Sequence, residues 1–352
     1  MSAITNPYSD VDWATALKVP SLSHAHSRVW QYDEQPKADL QKYIERAYNG
    51  GIRHVAWSNY YPSEPFYPLD DWFLTIPNGM IGSPNAEAHS FTDPLLNNMH
   101  INSLGSYFSS GNVHGVSPVG VNDSWKNVFP KMLKQLQYVD AGGLTINHPQ
   151  WSELTVPQML KMLRFDKRVL GIEIANTWEM SEEGELIPDV WDEILLTGQR
   201  CWGFCVPDHG VEWSEHFSGR NILLVDELDE HKCLKAYRDG AFYGKLFDSN
   251  LAFSEVSLEG NTFTVSAPLA DSIQIIVDGV YTQYNQSSVS VSIPNEATYC
   301  RAEAWMDYDW VSNSGTTKNV TEKIFSNPIM FVESSYDETN NSWLDVIQRV
   351  VD

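Results

Sequence analysis

Cysteine and basic residues are scarce in this sequence, and each shortage argues against a class of protein. Four cysteines in 352 residues are too few and too irregularly spaced for a disulfide framework, so we interpret them as structural thiols in a reducing compartment. The 23 Lys and Arg residues stand against 46 Asp and Glu residues, which gives a formal net charge of -23. Because phosphate backbones are held by clustered cations, this balance argues against nucleic-acid binding.

Long apolar runs are missing as well. No stretch approaches the length of a membrane span, and residues 1–12 lack the apolar core of a signal peptide. We therefore expect a cytoplasmic globular protein that has neither a membrane nor a nucleic-acid partner and acts on a small molecule. The oligomeric state is left open. An anionic substrate would need local positive charge to approach so acidic a protein, and bound metal ions are one source of it.

Short apolar runs alternate with helix-like stretches from residue 18 to about residue 245. The run Val19–Leu22 precedes a predicted helix at Ala38–Tyr48 and a second strand at Ile52–Trp57. This β-α-β opening implies parallel strands joined by a right-handed crossover. The alternation continues through about eight strands, which predicts an α/β barrel over residues 1–248.

The pattern changes after about residue 250. Period-two alternation with β-branched residues appears at Asn261–Ser266, Ser272–Val277 and Ser287–Ile293, separated by Gly, Pro and Asn. These features predict a small antiparallel β-sandwich domain over residues 249–334. Residues 335–352 are interpreted as a polar linker and a short terminal helix at Trp343–Val350.

His24 and His26 lie two residues apart at the end of the first predicted strand. Side chains two apart point to the same side of an extended chain, so both imidazoles can reach one metal ion. Other His and carboxylate residues fall at or just past the ends of further strands: Glu87, His148, Glu173, Asp208 and His209. In a barrel of parallel strands those ends meet on one face, where active sites are built.

For some titratable residues the sequence allows both a role as a metal ligand and a structural role. His100 opens a strand and is a weaker ligand candidate on pattern alone, and Glu173 could equally be a buried hydrogen-bonding residue. His89, two residues from Glu87, could be a ligand or lie outside the site. The remaining histidines have no supporting neighbours in the sequence and are interpreted as structural: His54, His114, His216 and His231.

These motifs, in this order, resemble the PHP (polymerase and histidinol phosphatase) family. The resemblance rests on His24-Ala25-His26, on the β-α-β unit behind it, on His148-Pro149 and on the closing Asp208-His209. It is strongest to the CehA/McbA-like branch of metal-dependent phosphoesterases and covers most of the chain. Later segments that resemble this branch are Val190–Gly203, Arg238–Tyr243, Arg301–Ala304 and Phe325–Ile329.

The resemblance implies a distorted (β/α)7 barrel, with seven strands rather than eight. The implied metal ligands are His24, His26, Glu87, His100, His148, Asp208 and His209. Glu87 would bridge one ion, held with His24, His26 and Asp208, to a second ion held by His100 and His148. Glu87, Asp208 and His209 would be the catalytic residues. A hydroxide shared by two ions (Zn, Mn or Fe) would attack phosphorus or an ester carbonyl.

Two departures from the family pattern limit the implied site. Where the family has Thr-Asp-His after the second strand, this chain has Ser58-Asn59-Tyr60. An amide and a phenol are poor replacements for a carboxylate and an imidazole, so we predict two metal ions rather than three. The family's closing Asp-x-His is replaced by adjacent Asp208-His209, which leaves the register of these two ligands open.

The leading hypothesis is a metal-dependent phosphoesterase (EC 3.1 type) acting on a small-molecule phosphoester. A carboxyl or carbamate ester hydrolase on the same site is the alternative, and a catalytically degenerate binding protein is a second one. A glycoside hydrolase would suit the 13 tryptophans, but paired carboxylates do not explain histidines at strand ends. Four aromatic residues near the site predict either a pocket for an organic leaving group or ordinary loop packing: Trp30, Tyr60, Tyr61 and Trp151.

Overall fold

The computed structural model describes residues 3–26, 37–58, 75–96, 98–108, 120–177, 185–210, 219–311 and 317–334. Several sequence predictions lie outside these residues: Trp30, Asn59, Tyr60, Tyr61, His114, His216 and the terminal helix Trp343–Val350. The helices of the described part are α1 (Lys37–Asn49), α2 (Trp125–Lys134), α3 (Val156–Leu163), α4 (Pro188–Leu196) and α5 (Glu230–Asp239).

The described helices all lie between strands up to β11, and the described elements beyond β11 are all strands. The strands are β1 (Leu17–Ala25), β2 (His54–Trp57), β3 (Ile81–Gly82), β4 (Glu87–Ala88), β5 (Ile101–Leu104), β6 (Gly143–Ile146), β7 (Val169–Asn176), β8 (Glu185–Leu186), β9 (Trp202–Val206), β10 (Arg220–Val225), β11 (Phe242–Lys245), β12 (Glu255–Glu259), β13 (Thr262–Ser266), β14 (Ser272–Val277), β15 (Val280–Tyr284), β16 (Ser288–Ser292), β17 (Tyr299–Val311), β18 (Thr317–Ser326) and β19 (Ile329–Met330).

In the described residues these strands form three open sheets. The largest has the order β15-β14-β17-β18-β11-β10-β1-β2-β3, with β19 beside β17. The second has the order β4-β5-β6-β7-β8, with β9 beside β7, and the third is β12-β13-β16. The fold is therefore a mixed α/β architecture, and the closed barrel predicted from the sequence is not seen in the part of the chain that is described.

Strand direction also differs from the prediction of an all-parallel series. Strands β1 and β2, β6 and β7, and β7 and β9 pair parallel. Strand β10 pairs antiparallel with β1, and β5 pairs antiparallel with both β4 and β6. An apolar run has the same pattern in either direction, so periodicity located these strands without revealing which way they run.

The two larger sheets meet at the carboxyl ends of β1 and β2. Ala25 and Asp208 form a parallel bridge between the ends of β1 and β9. The amide of His26 donates to the carbonyl of Asp208 at 3.1 Å, and the amide of Asp208 donates to the carbonyl of His24 at 3.1 Å. The amide of Glu87 donates to the carbonyl of Ser58 at 3.2 Å and ties β4 to the end of β2. The backbones of three predicted site segments are thus joined directly.

The strands after β11 pair antiparallel with one another, as the sequence pattern indicated. Strand β18 also pairs with β11, so the largest sheet continues across the predicted boundary between residues 248 and 249. Arg301 on β17 is fully buried and makes an ion pair with Asp192 on α4 at 2.7 Å. The division into two domains at this boundary stays a prediction.

Local sequence signals explain where two helices begin and end. Helix α3 begins with a capping box between Thr155 and Gln158 and carries Pro157 in its first turn. Helix α5 ends at Gly240, which has a φ of 77°. A Cβ atom there would lie 2.6 Å from the indole of Trp202, so both backbone conformation and packing require glycine at this position.

Candidate metal centre

Six of the seven predicted ligands converge on one buried site where the two larger sheets meet. His24 belongs to β1 and His26 follows that strand directly. Glu87 opens β4, and His148 and Asp208 lie two residues beyond the ends of β6 and β9. Every one of these five residues is buried. The sixth is His100, whose side chain is 15% exposed.

His100 reaches the site from the beginning of its strand rather than from the end. It directly precedes β5, which pairs antiparallel with its neighbours β4 and β6. Because β5 runs opposite to β6, its first residue lies at the same edge of the sheet as the carboxyl end of β6. The reversed strand therefore brings His100 next to His148, and their ring centroids lie 4.8 Å apart.

A first cluster is formed by His24, His26 and Asp208, whose ligand atoms all lie within 4.8 Å of one another. The two Nε2 atoms of His24 and His26 are 3.1 Å apart. Oδ1 of Asp208 lies 3.2 Å from each of them. The prediction that the His-x-His pair projects to one side of the strand is confirmed by this convergence.

A second cluster is formed by Glu87, His100 and His148, again with ligand atoms within 4.8 Å of one another. Oε1 of Glu87 lies 3.0 Å from Nδ1 of His100 and 3.2 Å from Nε2 of His148. The same carboxylate faces the first cluster, because Oε2 lies 3.0 Å from Nε2 of His26. Glu87 thus connects the two clusters through its two oxygens.

The spacing of these atoms fits a metal ion. In a tetrahedral site with bonds of about 2.0–2.1 Å, neighbouring ligand atoms lie about 3.3 Å apart. The distances among the ligand atoms of the first cluster, and from its two imidazoles to the oxygens of Glu87, run from 3.0 Å to 3.4 Å. Two buried carboxylate oxygens at the site, Glu87 Oε2 and Asp208 Oδ1, also lack a hydrogen-bond donor of suitable geometry among the described residues. A cation would satisfy both oxygens.

The buried imidazoles and carboxylates of the site shift one another's pKa values. Burial alone would lower the pKa of His24, yet Asp208, Glu173 and Glu87 outweigh burial and hold it well above its usual value. For the carboxylates the directions are reversed. Burial alone would raise the pKa of Glu87 and of Asp208, but His24 and the other imidazoles hold both pKa values well below their usual range. The buried negative charge therefore demands positive charge nearby, which protonated imidazoles or metal ions can supply.

A third carboxylate, Glu173 on β7, orients the ligands from behind. Its Oε1 atom lies 2.6 Å from Nδ1 of His24, and its Oε2 atom accepts from the amide of His148 at 2.7 Å. A carboxylate on Nδ1 directs Nε2 of the same ring toward the cluster and raises its basicity. Of the two interpretations left open by the sequence, the structure favours the buried hydrogen-bonding residue.

Two ligand positions have strained backbone. His148 has a φ of 24° and Asp208 has a φ of 49°, in a region that residues with a Cβ atom rarely adopt. Such conformations persist where the surrounding structure fixes them, and they concentrate at functional sites. Here the carboxylate of Glu173 holds the amide of His148, and the bridge to Ala25 holds Asp208.

His209, the seventh predicted ligand, is not brought into either cluster. Its imidazole stacks on that of His26, with ring centroids 4.1 Å apart and an angle of 11° between planes. Its Nε2 atom lies 3.7 Å from Oδ1 of Asp208. The bend at Asp208 directs that residue into the first cluster and lays His209 against its edge, so a ligand role for His209 stays a prediction.

The remaining described histidines and Ser58 have other partners. His54 is buried between the hydroxyls of Ser21 and Ser83, at 2.6 Å and 2.7 Å. Ser58 accepts hydrogen bonds from Nδ2 of Asn85 at 2.7 Å and from the amide of Ala25 at 3.3 Å, so its hydroxyl links the ends of β1 and β2. His89 lies beside His100, with ring centroids 5.7 Å apart, and His231 pairs with Asp140 at the surface.

Three residues at the site were missed by the sequence reasoning. Nδ2 of Asn147 donates to Oε1 of Glu87 at 2.8 Å, and Nδ2 of Asn176 donates to Oδ2 of Asp208 at 3.0 Å. Nδ1 of His148 lies 3.2 Å from Oγ of Ser152. The one available signal was position, because both asparagines stand at strand ends on the edge that carries the ligands.

Comparison with known proteins adds little to this geometry. No protein-family model matches the chain, and no curated protein matches it. One solved structure is similar, a two-domain protein from Bacteroides vulgatus containing a predicted PHP-like metal-dependent phosphoesterase. The identity is 13% and the TM-score 0.44, over 91% of this chain and 98% of that chain.

None of the described helices is both long and apolar enough to span a membrane.

All four cysteines are buried and unpaired with one another, in keeping with structural thiols.

Proposed function

We propose that this protein is a metal-dependent hydrolase of the PHP type, and that it cleaves a small-molecule phosphoester with two divalent ions. The first ion would be held by His24, His26 and Asp208, and the second by His100 and His148. Glu87 would bridge the two ions. The observation that carries the proposal is the position of Glu87, whose Oε2 atom lies 3.0 Å from Nε2 of His26 and whose Oε1 atom lies 3.0 Å from Nδ1 of His100.

The chemistry of the donor set suits borderline divalent ions. Imidazole nitrogens together with carboxylate oxygens accept Zn, Mn or Fe. When bound, such ions act as Lewis acids toward a phosphoryl or acyl oxygen and lower the pKa of water at the site. Their positive charge would also attract an anionic substrate to a protein with a net charge of -23.

The residues of the chain have separable tasks in this proposal. His24 and His26 bind, and Glu173 fixes the orientation of His24 through Nδ1. Asp208 closes the first cluster from the end of β9, where the bridge to Ala25 holds its backbone. This bridge and the hydrogen bond between Glu87 and Ser58 also support the PHP-type distorted barrel, since each joins the two sheets at the site.

Carboxyl or carbamate ester hydrolysis is the second candidate for the same site. The half-exposed indole of Trp151 lies beside the clusters, with its ring centroid 5.0 Å from that of His148. An aromatic wall at this distance suits an organic leaving group whether the cleaved bond is a phosphoester or a carboxylester.

The test is metal content per chain, measured by elemental analysis of protein purified without chelators. We expect close to two transition-metal ions in the parent and clear loss in Glu87→Ala. Asp93→Ala is the matched control, since Asp93 also accepts hydrogen bonds, at the start of α2, and belongs to neither cluster. Phosphoester and carboxylester substrates are then assayed with and without EDTA. A parent that binds no metal, even after Zn or Mn is added, would overturn the proposal.

A further inference from the structure

We propose that Asn147 and Asn176 are positioning residues that assign the carboxylate oxygens of the site to their ions. Each asparagine holds one oxygen of a predicted metal ligand, Glu87 or Asp208, with its side-chain amide. The inference rests on the proposed function, because it presupposes ions at the two clusters. It adds two residues that the family resemblance did not single out, with a different effect for each.

Asn147 fixes the rotation of the bridging carboxylate. It is fully buried, and its Nδ2 atom donates to Oε1 of Glu87 at 2.8 Å. A carboxylate only accepts hydrogen bonds, so the nitrogen of the amide must face it. The amide oxygen accepts from the hydroxyl of Thr145 at 3.3 Å. With Oε1 held in this way, Oε2 of Glu87 is left facing His26 at 3.0 Å.

Asn176 performs the same task for Asp208. It is the last residue of β7 and fully buried, and its Nδ2 atom donates to Oδ2 of Asp208 at 3.0 Å. The same nitrogen donates to Oε2 of Glu173 at 3.1 Å. Asn176 therefore lies between two buried carboxylates and offers both a donor. Oδ1 of Asp208 is left facing His24 and His26 at 3.2 Å.

The carboxylate oxygens to which the asparagines do not donate are the ones that need a cation. Glu87 Oε2 and Asp208 Oδ1 are buried and have no hydrogen bond of suitable geometry from the described residues, although imidazole nitrogens lie at ion-pair distance. A neutral amide can restrain a carboxylate without cancelling its charge, whereas Lys or Arg would compete with the metal ion. Restraint by such outer hydrogen bonds is worth about 10- to 100-fold in metal affinity.

The two asparagines are predicted to act differently. Glu87 faces both clusters, so loss of Asn147 is expected to weaken both ions. Asp208 belongs to the first cluster, so loss of Asn176 is expected to weaken that ion and leave the second one nearly unchanged. If either asparagine had only a structural role, its loss would lower the stability of the protein but would not affect the two metal affinities differently.

Asn221 offers a matched control for buried asparagine. It is fully buried, its Nδ2 atom donates to Oγ of Ser23 at 3.0 Å, and its Oδ1 atom accepts from the amide of Cys205 at 3.1 Å. Neither partner is a carboxylate. Asn221→Ala is expected to lower the unfolding temperature while leaving both metal affinities at the parental value.

The experiment is a Zn titration of EDTA-stripped protein against a chromophoric chelator, for the parent, Asn147→Ala, Asn176→Ala and Asn221→Ala. We expect both dissociation constants to rise about 10- to 100-fold in Asn147→Ala and one to rise by that factor in Asn176→Ala. The titration is repeated with His100→Ala, which removes a ligand of the second cluster. The Asn176→Ala effect is expected to persist there, because the ion it concerns remains.

Each outcome decides a different question. A parent that binds no Zn defeats the proposed function. A parent that binds two ions, with asparagine variants indistinguishable from Asn221→Ala, overturns the positioning role alone. Equal weakening of both ions by Asn176→Ala overturns the assignment of that residue to one cluster. If an alanine variant fails to fold, Asn147→Leu and Asn176→Leu, which fill nearly the same volume without an amide, replace it.

Discussion

Nδ1 of His24 lies 2.6 Å from Oε1 of Glu173, and both side chains are buried. The carboxylate fixes the tautomer of the imidazole, so that Nε2 faces Asp208 and Glu87 with its lone pair available when the ring is neutral. Neither residue could be paired with the other from the sequence, because 149 positions separate them. The contact makes Glu173 the residue on which the orientation of the first cluster depends.

Glu173→Gln is therefore expected to weaken metal binding without unfolding the chain. The amide keeps one acceptor for Nδ1 of His24, but it removes the carboxylate charge that raises the basicity of the Nε2 atom facing the first cluster. We expect the affinity of the first cluster to fall about 10- to 100-fold, measured by chelator competition. Asp93→Asn, which also loses a carboxylate charge, serves as the control, and an equal fall in that variant would count against a specific role for Glu173.

Arg301 on β17 makes a buried ion-pair network with Asp192 on α4 and with Glu303 on its own strand. Its guanidinium donates to both oxygens of Asp192, at 2.7 Å and 2.8 Å, and to Glu303 at 2.6 Å. Its side chain is 0% exposed. Arg301→Met would leave two buried carboxylates without their cation, so we expect a loss of about 3–5 kcal/mol in the free energy of unfolding.

Urea unfolding measures this loss, and an exposed pair provides the comparison. Lys232 pairs with Asp226 at 2.9 Å at the surface, where the carboxylate side chain is 80% exposed. Solvent screens such a pair, so Lys232→Met is expected to leave stability unchanged within error. Similar midpoints for the Arg301→Met and Lys232→Met variants would show that the buried network contributes nothing beyond an ordinary surface pair.

The candidate ligands were predictable from the sequence because their signal is local. The spacing of His24 and His26 fixes a shared side on any extended strand. Gly, Pro and apolar runs then mark where strands end, which placed His148 and Asp208 just past the ends of β6 and β9. Glu87 was also expected at a strand end, but it begins β4 instead. Helix α3 carries an equally local signal, since its cap and its Pro157 lie within a few residues of one another.

Strand direction and side-chain pairing were not predictable, because they depend on contacts distant in sequence. Strand β10 carries the same apolar run whether it is parallel or antiparallel to β1, and only its pairing with Leu17–Ser21 decides the direction. Strand β11 and helix α5 were not predicted because the segment Glu230–Asp239 is rich in charged residues and Phe242–Lys245 contains Gly and Lys. Asn176 gave no composition signal, since its role appears only when Asp208 folds back beside β7.

His54 is expected to make the protein sensitive to acid. Burial lowers the pKa of His54 to about 3, from an ordinary value of 6.5, while its ring bridges Ser21 and Ser83. Because the folded pKa is depressed, the stabilising effect is complete above pH 6.5 and is lost as the pH falls toward 3. The loss amounts to about 1.4 kcal/mol per pH unit within that window.

The check compares the parent with His54→Gln, both stripped of metal so that ion release does not contribute. Between pH 7 and pH 5 we expect the free energy of unfolding of the parent to fall by about 2 kcal/mol more than that of the variant. Other titrating groups cancel in this difference. Parallel pH profiles for the two proteins would mean that His54 is not held neutral in the folded state.

Trp151 is expected to set a preference for aromatic leaving groups. Its indole is 49% exposed and lies against two candidate ligands, with ring centroids 5.3 Å from His100 and 5.0 Å from His148. The tight turn that begins at His148 carries it there, since the amide of Ser152 donates back to the carbonyl of His148 at 3.0 Å. A flat leaving group can then pack on the indole while the ester lies at the clusters.

Trp151→Ala tests this preference with paired substrates that differ only in the leaving group, one aryl and one alkyl phosphomonoester. An aromatic pair is worth about 0.5–1.5 kcal/mol beyond its buried area, so kcat/KM for the aryl ester is expected to fall about 2- to 10-fold. The value for the alkyl ester is expected to stay unchanged, and Trp151→Phe to retain most of the aryl rate. An equal fall for both esters would instead mean that the indole supports His100 and His148, because a disturbed ligand slows every substrate alike.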